Sequence, residues 1–250
     1  MTQLMISKLA IQGGDKVRTT PWPVRRLFGQ QEKNAVMELF DRAIKEGSHL
    51  LGYNGEQEQQ YCKDFADYLG GGYADGVNSG TNALYVALRS LDLEPGSEVI
   101  MPPITDPGGM MPVPLDHCIP VVADSVPGSY NTGAEQIAAR LTERTRAIIV
   151  AHISGIPVDM DPVLELAKRH GIPVIEDCAQ AHGATYKGRI VGSLGDVSAF
   201  STMFGKHHAQ ADKVAWCSPA ASRATGAFAR WPIAASRSDS KENIRMSSLP

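Results

Sequence analysis

Short apolar runs alternate with helical patterns from about Lys33 to Ser201, and this alternation constrains the fold more than any other feature of the sequence. The runs are near-continuously apolar, which is typical of parallel strands that are covered by helices on both faces. They span residues 98–101, 119–122, 146–151, 172–175 and 197–200. We therefore predict an α/β fold in which a mostly parallel sheet lies between helices.

Helical spacing of apolar residues fills the remaining intervals. Residues 36–43 and 61–68 each carry apolar side chains on one helical face, which predicts two amphipathic helices before the first strand. Asp161 is a residue type favoured at helix N-caps, and Gly171 is favoured just after the last turn of a helix. We predict a helix between these two residues.

Charge and composition exclude several classes of protein. The chain has 24 Lys and Arg against 27 Asp and Glu, a net charge of −3 and no basic run, so we expect no nucleic-acid partner. The most apolar stretches are short and interrupted, as by Pro157, which predicts no membrane partner. The N-terminus has Lys8 and Asp15 where a signal peptide would need an apolar run, so we expect a cytoplasmic protein. The 4 cysteines have no C-x-x-C spacing and indicate neither a metal site nor a disulfide framework, which fits a reducing compartment.

Residues at three strand ends could carry chemistry. Gly80 and Thr81 lie where a strand meets a helix N-terminus, which either cradles a phosphate or is an ordinary βα junction. Asp177 follows a buried strand and could pair with a ligand cation or cap a helix. Ser201 and Lys206 follow the last strand, where the lysine is either a nucleophile or solvated surface. From the residues alone these alternatives stay open.

Five motifs, in order along the chain, resemble those of the sugar and aminocyclitol aminotransferases, a family of fold-type I enzymes that use pyridoxal 5′-phosphate. They are Ser-Gly-Thr-Asn-Ala-Leu at 79–84, Pro-Val-Asp-Met-Asp at 157–161, the runs at 174–183 and 187–196, and Phe200-Ser201 followed by Lys206. The resemblance covers residues 8–209. It implies the large domain of an aspartate-aminotransferase-like fold, with pyridoxal phosphate as the cofactor.

The resemblance assigns Lys206 as the residue that forms a Schiff base with the cofactor and then moves a proton between substrate and cofactor. Asp177 would pair with the pyridinium nitrogen, and Gln180 would lie near the phenolic oxygen of the cofactor. A related dehydratase branch has histidine in place of the lysine. Because Lys206 is present here, transamination is favoured over dehydration.

The resemblance also implies a phosphate site and one departure from the family pattern. The backbone amides of Gly80 and Thr81, with the Ser201 hydroxyl, would hold the cofactor phosphate. Many relatives place an aromatic residue against the cofactor ring after a Pro-x-x-Thr segment, whereas here Thr105 is followed by Asp106. This departure argues against ring stacking at Asp106 and would fit a distinct subfamily.

Substrates, domains and partners follow from the same resemblance. The expected reaction transfers an amino group from glutamate or glutamine to a keto-sugar or keto-cyclitol, and relatives usually work as homodimers. Residues 1–32 would be an N-terminal segment, and residues 33–209 would be the cofactor-binding large domain, itself incomplete. Relatives carry a C-terminal small domain after the lysine, and we expect this domain to be missing here.

The composition changes beyond His208, where residues 218–250 are rich in Ser, Ala and Arg and lack an apolar period. Synonymous codons can be chosen for residues 210–219 so that reading from one base earlier encodes a Gly-rich strand that resembles one of the family. In relatives this strand is antiparallel and joins the last parallel strand of the sheet to the first. We therefore expect residues 210–250 to be an out-of-frame, disordered tail, although residues 214–217 are apolar enough to fill that slot in part. The chain would be an impaired aminotransferase, a cofactor-binding but inactive remnant, or a non-functional pseudogene product.

Overall fold

The computed structural model describes residues 8–24, 28–47 and 54–209, together with the backbone of residues 215–219. It divides into two compact units, Met1–Ser48 and His49–Pro250. The predicted boundary after residue 32 falls inside a continuous helix, α1 (Gln30–Glu46), which lies wholly in the first unit. The first unit is therefore longer than the predicted N-terminal segment.

The first unit contains a 3₁₀ turn, Ala10–Gln12, and helix α1. Helix α1 begins after Gly29, whose N–H donates to the Glu32 carboxylate at 2.6 Å. It ends at Gly47, whose φ of 60° lies in the left-handed region that favours glycine. The helix predicted from the spacing of residues 36–43 is confirmed, and none of its residues is buried.

The second unit contains six α-helices and nine β-strands within its described residues. The helices are α2 (Glu56–Tyr68), α3 (Gly80–Arg89), α4 (Pro107–Met110), α5 (Pro112–Leu115), α6 (Ala134–Ala138) and α7 (Met160–His170). The strands are β1 (Asp75–Val77), β2 (Glu98–Met101), β3 (Ile119–Val122), β4 (Thr145–Ala151), β5 (Val174–Asp177), β6 (Thr185–Tyr186), β7 (Arg189–Ile190), β8 (Val197–Ser201) and β9 (Ala215–Pro219). None of the described helices has the length and apolar character that crossing a membrane requires.

Seven strands form one sheet in the order β1-β9-β8-β5-β4-β2-β3. Neighbouring strands from β8 to β3 are parallel, and β9 runs antiparallel to both β8 and β1. Strands β6 and β7 form a separate two-stranded hairpin. The predicted α/β fold with a mostly parallel sheet is confirmed. Because Asp177 pairs with Ala199, the carboxyl ends of β5 and β8 lie side by side.

Apolar side chains cover both faces of the sheet. Along β4, Ala147 and Ile149 pack in the core that includes α3, whereas Ile148 and Val150 pack in the core that includes α7. All four side chains are buried. A strand that is covered on both faces has no solvent-facing positions, which explains why it is near-continuously apolar in sequence.

Helix α7 begins earlier than the sequence predicts. Its N-cap is Asp159 rather than the predicted Asp161. The Tyr186 hydroxyl, on β6, donates to the Asp159 carboxylate and accepts the Asp161 N–H at 3.2 Å. A contact with a distant hairpin therefore selects between two aspartates that local sequence cannot distinguish. The predicted end of the helix at Gly171, with φ of 65°, is confirmed.

Strand β9 lies within residues 210–250, for which the sequence predicts disorder. The backbone of Ala215–Pro219 pairs with β8 and β1, in the slot between the last parallel strand and the first, so these residues differ from that expectation. Strand pairing uses backbone N–H and C=O groups, which almost every sequence supplies. The rest of the predicted tail, 210–214 and 220–250, lies outside the described residues.

Candidate active site

The N-terminus of α3 forms the first part of the site. Ser79 caps this helix, and its Oγ accepts the N–H of Asn82 at 3.0 Å. The N–H groups of Gly80 and Thr81 have no acceptor inside the helix, because backbone hydrogen bonding in an α-helix begins one turn later. These two amides and the positive end of the helix dipole favour an anion.

The side chain of Ser201, at the end of β8, lies against this helix end. A Cβ atom at Gly80 would be 2.9 Å from the Ser201 Cβ and 3.2 Å from its Oγ. A residue larger than glycine at position 80 would therefore displace either α3 or β8. The structure thus brings together the three predicted phosphate-binding residues, and we call the amides of Gly80 and Thr81 with the Ser201 hydroxyl the polar cradle.

Asp177 is the last residue of β5 and is 8% exposed. Burial raises the pKa of its carboxyl group, because surroundings of low dielectric disfavour the charged form. The Ala179 N–H, which donates to Oδ1 at 3.0 Å, lowers this pKa, as do the charges of Lys206 and His152, whereas Asp106 raises it. A buried carboxylate in this setting is stabilised by a cationic partner.

Lys206 follows β8 in a turn that its own N–H closes by donating to the Met203 carbonyl at 2.9 Å. The turn includes Gly205, whose φ of 106° is left-handed. The turn follows the carboxyl end of β8, which lies beside the carboxyl end of β5 that carries Asp177. The charge of Lys206 lowers the pKa values of both Asp177 and His182. The predicted nucleophile and the predicted acidic partner therefore belong to the same edge of the sheet.

The side chain of Gln180 is oriented by the backbone of a neighbouring loop. Its Oε1 accepts the N–H of Ser154 at 2.9 Å. Ser154 has a left-handed φ of 55°, which costs free energy for a residue with a side chain, and Gly155 follows it with φ of 79°. Because Oε1 is engaged as an acceptor, the amide NH₂ of Gln180 is the end that can donate to a ligand.

Asp106, which departs from the expected family pattern, caps the short helix α4. Its Oδ1 accepts the N–H of Gly108 at 2.9 Å. A Cβ atom at Gly108 would lie 2.3 Å from the Oγ1 of Thr81, so the first turn of α4 packs directly on α3. Asp106 therefore helps to form the wall beside the polar cradle.

Glu176 secures strand β5 beneath the site. Its fully buried carboxylate accepts the N–H groups of Gly192, Leu194 and Gly195 at 2.9, 2.7 and 2.6 Å. His152 Nε2 lies 3.0 Å from the same carboxylate. These hydrogen bonds join the motif at 187–196 to the strand that carries Asp177. The motif therefore has a structural role, which is to hold β5 in place.

Three buried groups that could ligate a metal, on His152, Glu176 and Cys178, lie within 4.8 Å of one another. Their atoms already have hydrogen-bond partners: His152 Nδ1 accepts the Val158 N–H at 3.0 Å, and the Cys178 thiol donates to the Glu176 carbonyl at 3.8 Å. Burial raises the pKa of Cys178 well above its usual value, which keeps the thiol neutral and a poor ligand. We interpret the group as a hydrogen-bonded core network.

Three residues near the site received no role from the sequence: His152, Ser154 and His182. Each lies within five residues of the carboxyl end of β4 or β5. Ligands of open α/β sheets bind at these ends, so the position of these residues was the signal that could have identified them. Their hydrogen-bond partners are distant in sequence, and no local pattern predicts them.

Known proteins are similar to this chain in sequence and in fold. The profile of the DegT/DnrJ/EryC1/StrS aminotransferase family matches residues 30–212. The L-glutamine:2-deoxy-scyllo-inosose aminotransferase of Streptomyces fradiae is 36% identical over 202 residues, which are 81% of this chain and 48% of that protein. The GDP-perosamine synthase of Caulobacter vibrioides is 44% identical over 176 residues, which are 70% of this chain and 46% of that protein.

A solved structure, of the aminotransferase from Psychrobacter cryohalolentis, superimposes with a TM-score of 0.70 at 37% identity and covers 80% of this chain and 49% of that one. This chain thus spans about half the length of the relatives that it matches. The predicted aminotransferase-like fold and the family resemblance are confirmed. The chain belongs to the DegT/DnrJ/EryC1/StrS aminotransferase family.

Proposed function

We propose that the second unit, whose described residues include 54–209, contains the cofactor-binding domain of a pyridoxal-phosphate-dependent aminotransferase. The reaction transfers an amino group from glutamate or glutamine to a keto-sugar or keto-cyclitol. The observation that carries the proposal is the convergence of the polar cradle, Asp177 and the Lys206 turn at one edge of the sheet, where the carboxyl ends of β5 and β8 are adjacent. An anion site, a buried acid and an amine are the groups that a pyridoxal phosphate site requires.

The polar cradle fits the phosphate end of the cofactor. The amides of Gly80 and Thr81 and the Ser201 hydroxyl can donate hydrogen bonds, and the α3 dipole adds positive potential at the same point. Gly80 leaves room for the phosphate, because a Cβ atom there would lie only 3.2 Å from the Ser201 Oγ.

Pyridoxal phosphate supplies an electron sink that stabilises the charge left when a proton leaves the substrate carbon. Asp177 would keep the ring nitrogen protonated, and contact with that cation would lower its raised pKa. Gln180 would donate its amide N–H to the phenolic oxygen, since its Oε1 accepts from Ser154. Lys206 would bind the cofactor aldehyde until the amino donor displaces it, and its amine would then carry the proton between the reacting carbons.

The substrate class rests on the names of the relatives. One name states L-glutamine and 2-deoxy-scyllo-inosose, and another states GDP-perosamine. We therefore keep both keto-cyclitols and keto-sugars as acceptors and both glutamine and glutamate as donors. The homodimeric state is carried over from the family resemblance, and the cytoplasmic location rests on the N-terminal charges and the cysteine spacing of the sequence. Both belong to the proposal.

The proposal is tested with the 250-residue chain and pyridoxal phosphate, followed by absorption spectroscopy, with glutamine or glutamate added in the absence of a keto acceptor. We expect a bound aldehyde absorption that either donor converts to the absorption of the amine form, with release of the corresponding 2-oxo acid. Aspartate serves as the control donor. If the aldehyde form is bound but neither donor converts it, the chain binds the cofactor without catalysing transamination. If no cofactor is bound, the proposed function is refuted.

Gly80→Ala is expected to weaken the binding of pyridoxal phosphate. The added methyl group would lie 2.9 Å from the Ser201 Cβ and would force α3 and β8 apart. Overpacking of this kind costs about 1–3 kcal/mol of folding stability. Loss of one hydrogen bond to the charged phosphate, worth about 1.5–3 kcal/mol, corresponds to roughly a 10- to 150-fold rise in the dissociation constant. The dissociation constant is measured by titration of the cofactor absorption.

Gly29→Ala is the matched control for this substitution. Gly29 is likewise at the N-terminal end of a helix, as the N-cap of α1, but the nearest atom to an added Cβ is the flexible end of Glu32 at 3.3 Å. We expect this variant to bind the cofactor as the wild type does. Equal affinity of Gly80→Ala and Gly29→Ala would contradict the location of the phosphate site.

A further inference from the structure

An imidazole cluster lies beside the turn that carries Lys206. We define it as the rings of His182, His207 and His208 together with Tyr61, which contacts His208. The ring centroid of His182 lies 6.3 Å from that of His207 and 6.2 Å from that of His208. His182 Nε2 donates to the Ser201 carbonyl at 2.8 Å. One side chain therefore contacts both ends of the segment 201–208.

Helix α2 supplies the other side of the imidazole cluster. A hydrogen bond of 2.5 Å joins the Tyr61 hydroxyl to His208 Nε2, and the two ring centroids lie 5.7 Å apart. Tyr61 also stacks on Phe65 at 5.9 Å, and Phe65 meets Phe200 edge-on at 5.0 Å. The ring that holds His208 is thus itself packed on the strand that leads to Ser201.

The His182 ring is neutral at physiological pH. Burial lowers its pKa to about 4, and the charges of His208, His207 and Lys206 act in the same direction, against the hydrogen bond to Ser201. The neutral ring keeps one N–H, which the Ser201 carbonyl accepts. The segment is therefore braced without placing another positive charge beside the Lys206 amine.

We propose that Tyr61, His182 and His208 are positioning residues that hold the Lys206 turn so that its amine faces the cofactor aldehyde. This inference rests on the proposed function. Lysine has a flexible four-carbon side chain with about 2 kcal/mol of rotamer entropy, and the turn contains the left-handed Gly205. His208, two residues beyond Lys206, is the point where contacts from α2 and from His182 hold the turn.

Tyr61→Phe tests this role because it removes one hydroxyl and keeps the ring. Tyr68→Phe is the matched control, with the same change on the same helix at an exposed ring that lies 6.1 Å from Phe65. Each variant is incubated with pyridoxal phosphate and reduced with borohydride, and the rate of pyridoxyl attachment to Lys206 is followed by mass spectrometry. Affinity for pyridoxamine 5′-phosphate, which has no aldehyde, is measured separately.

We expect Tyr61→Phe to slow attachment about three- to tenfold, the range that corresponds to one lost hydrogen bond, with unchanged affinity for pyridoxamine phosphate. Tyr68→Phe should change neither quantity. His182→Phe, which loses the N–H donated to the Ser201 carbonyl, should weaken both attachment and pyridoxamine phosphate affinity. His182→Gln can still donate from its amide and should recover the affinity.

Two results would overturn the inference. Attachment by Tyr61→Phe at the wild-type rate would show that the hydroxyl does not position the turn. Parallel losses of attachment and pyridoxamine phosphate affinity in Tyr61→Phe would show a general loosening of the fold instead. If the wild type itself forms no adduct, the proposed function fails, and the inference fails with it.

Discussion

Lys206→Ala is expected to abolish the covalent attachment of pyridoxal phosphate that borohydride traps in the wild-type chain. The substitution removes the amine that reacts with the cofactor aldehyde, but it leaves the polar cradle of Gly80, Thr81 and Ser201 in place. Weak binding that inorganic phosphate displaces should therefore persist. Mass spectrometry of the reduced protein measures the covalent adduct, and titration of the cofactor absorption measures the residual binding.

Lys187→Ala provides the matched control. The Lys187 ammonium lies 2.6 Å from the Asp161 carboxylate, and this hydrogen bond is the main reason why the pKa of Lys187 is raised. A lysine held in its protonated form is a poor nucleophile, so Lys187→Ala should form the adduct as the wild type does. Equal labelling of the wild type and Lys206→Ala would remove Lys206 from its proposed role.

The sequence predicts the strands well where a short apolar run can only be a strand that helices cover on both faces. Strands β2 and β3 have the predicted bounds, and β4 and β8 differ from prediction by one residue at one end. Strand β5 is displaced towards the C-terminus because the Ile172 N–H donates to the Ala167 carbonyl and so still belongs to the end of α7. Asp177 is therefore inside the strand rather than after it.

The site is predictable to the extent that it follows from the topology. Parallel strands with adjacent carboxyl ends place Asp177 near Ser201, and a strand followed by a capped helix places Gly80 at the same edge. The partners that orient these groups are not predictable in this way. Ser154 reaches Gln180, and Tyr61 reaches His208, through contacts that depend on loop conformation and on the packing of α2.

Asp177→Asn is expected to slow the half-reaction with glutamine or glutamate by roughly 2 × 10²- to 5 × 10³-fold. Removing one member of a buried charge pair costs about 3–5 kcal/mol, because the other charge is left without a partner. The ring nitrogen would lose its proton, and the cofactor would lose much of its capacity as an electron sink. The fold should persist, because an asparagine oxygen can still accept the Ala179 N–H that Asp177 accepts at 3.0 Å.

Asp124→Asn separates this effect from a general loss of negative charge. Asp124 follows β3, the edge strand of the sheet, and its Oδ1 accepts the Ser125 N–H at 2.8 Å, a local contact like that of Asp177. It is exposed, however, so its charge is screened by water, and the substitution should leave the rate within about twofold of the wild type. Rates that are measured from the loss of aldehyde absorption distinguish the two variants. If Asp177→Asn reacts as fast as Asp124→Asn, Asp177 does not hold the ring nitrogen, and the buried carboxylate serves only to order the loop through Ala179.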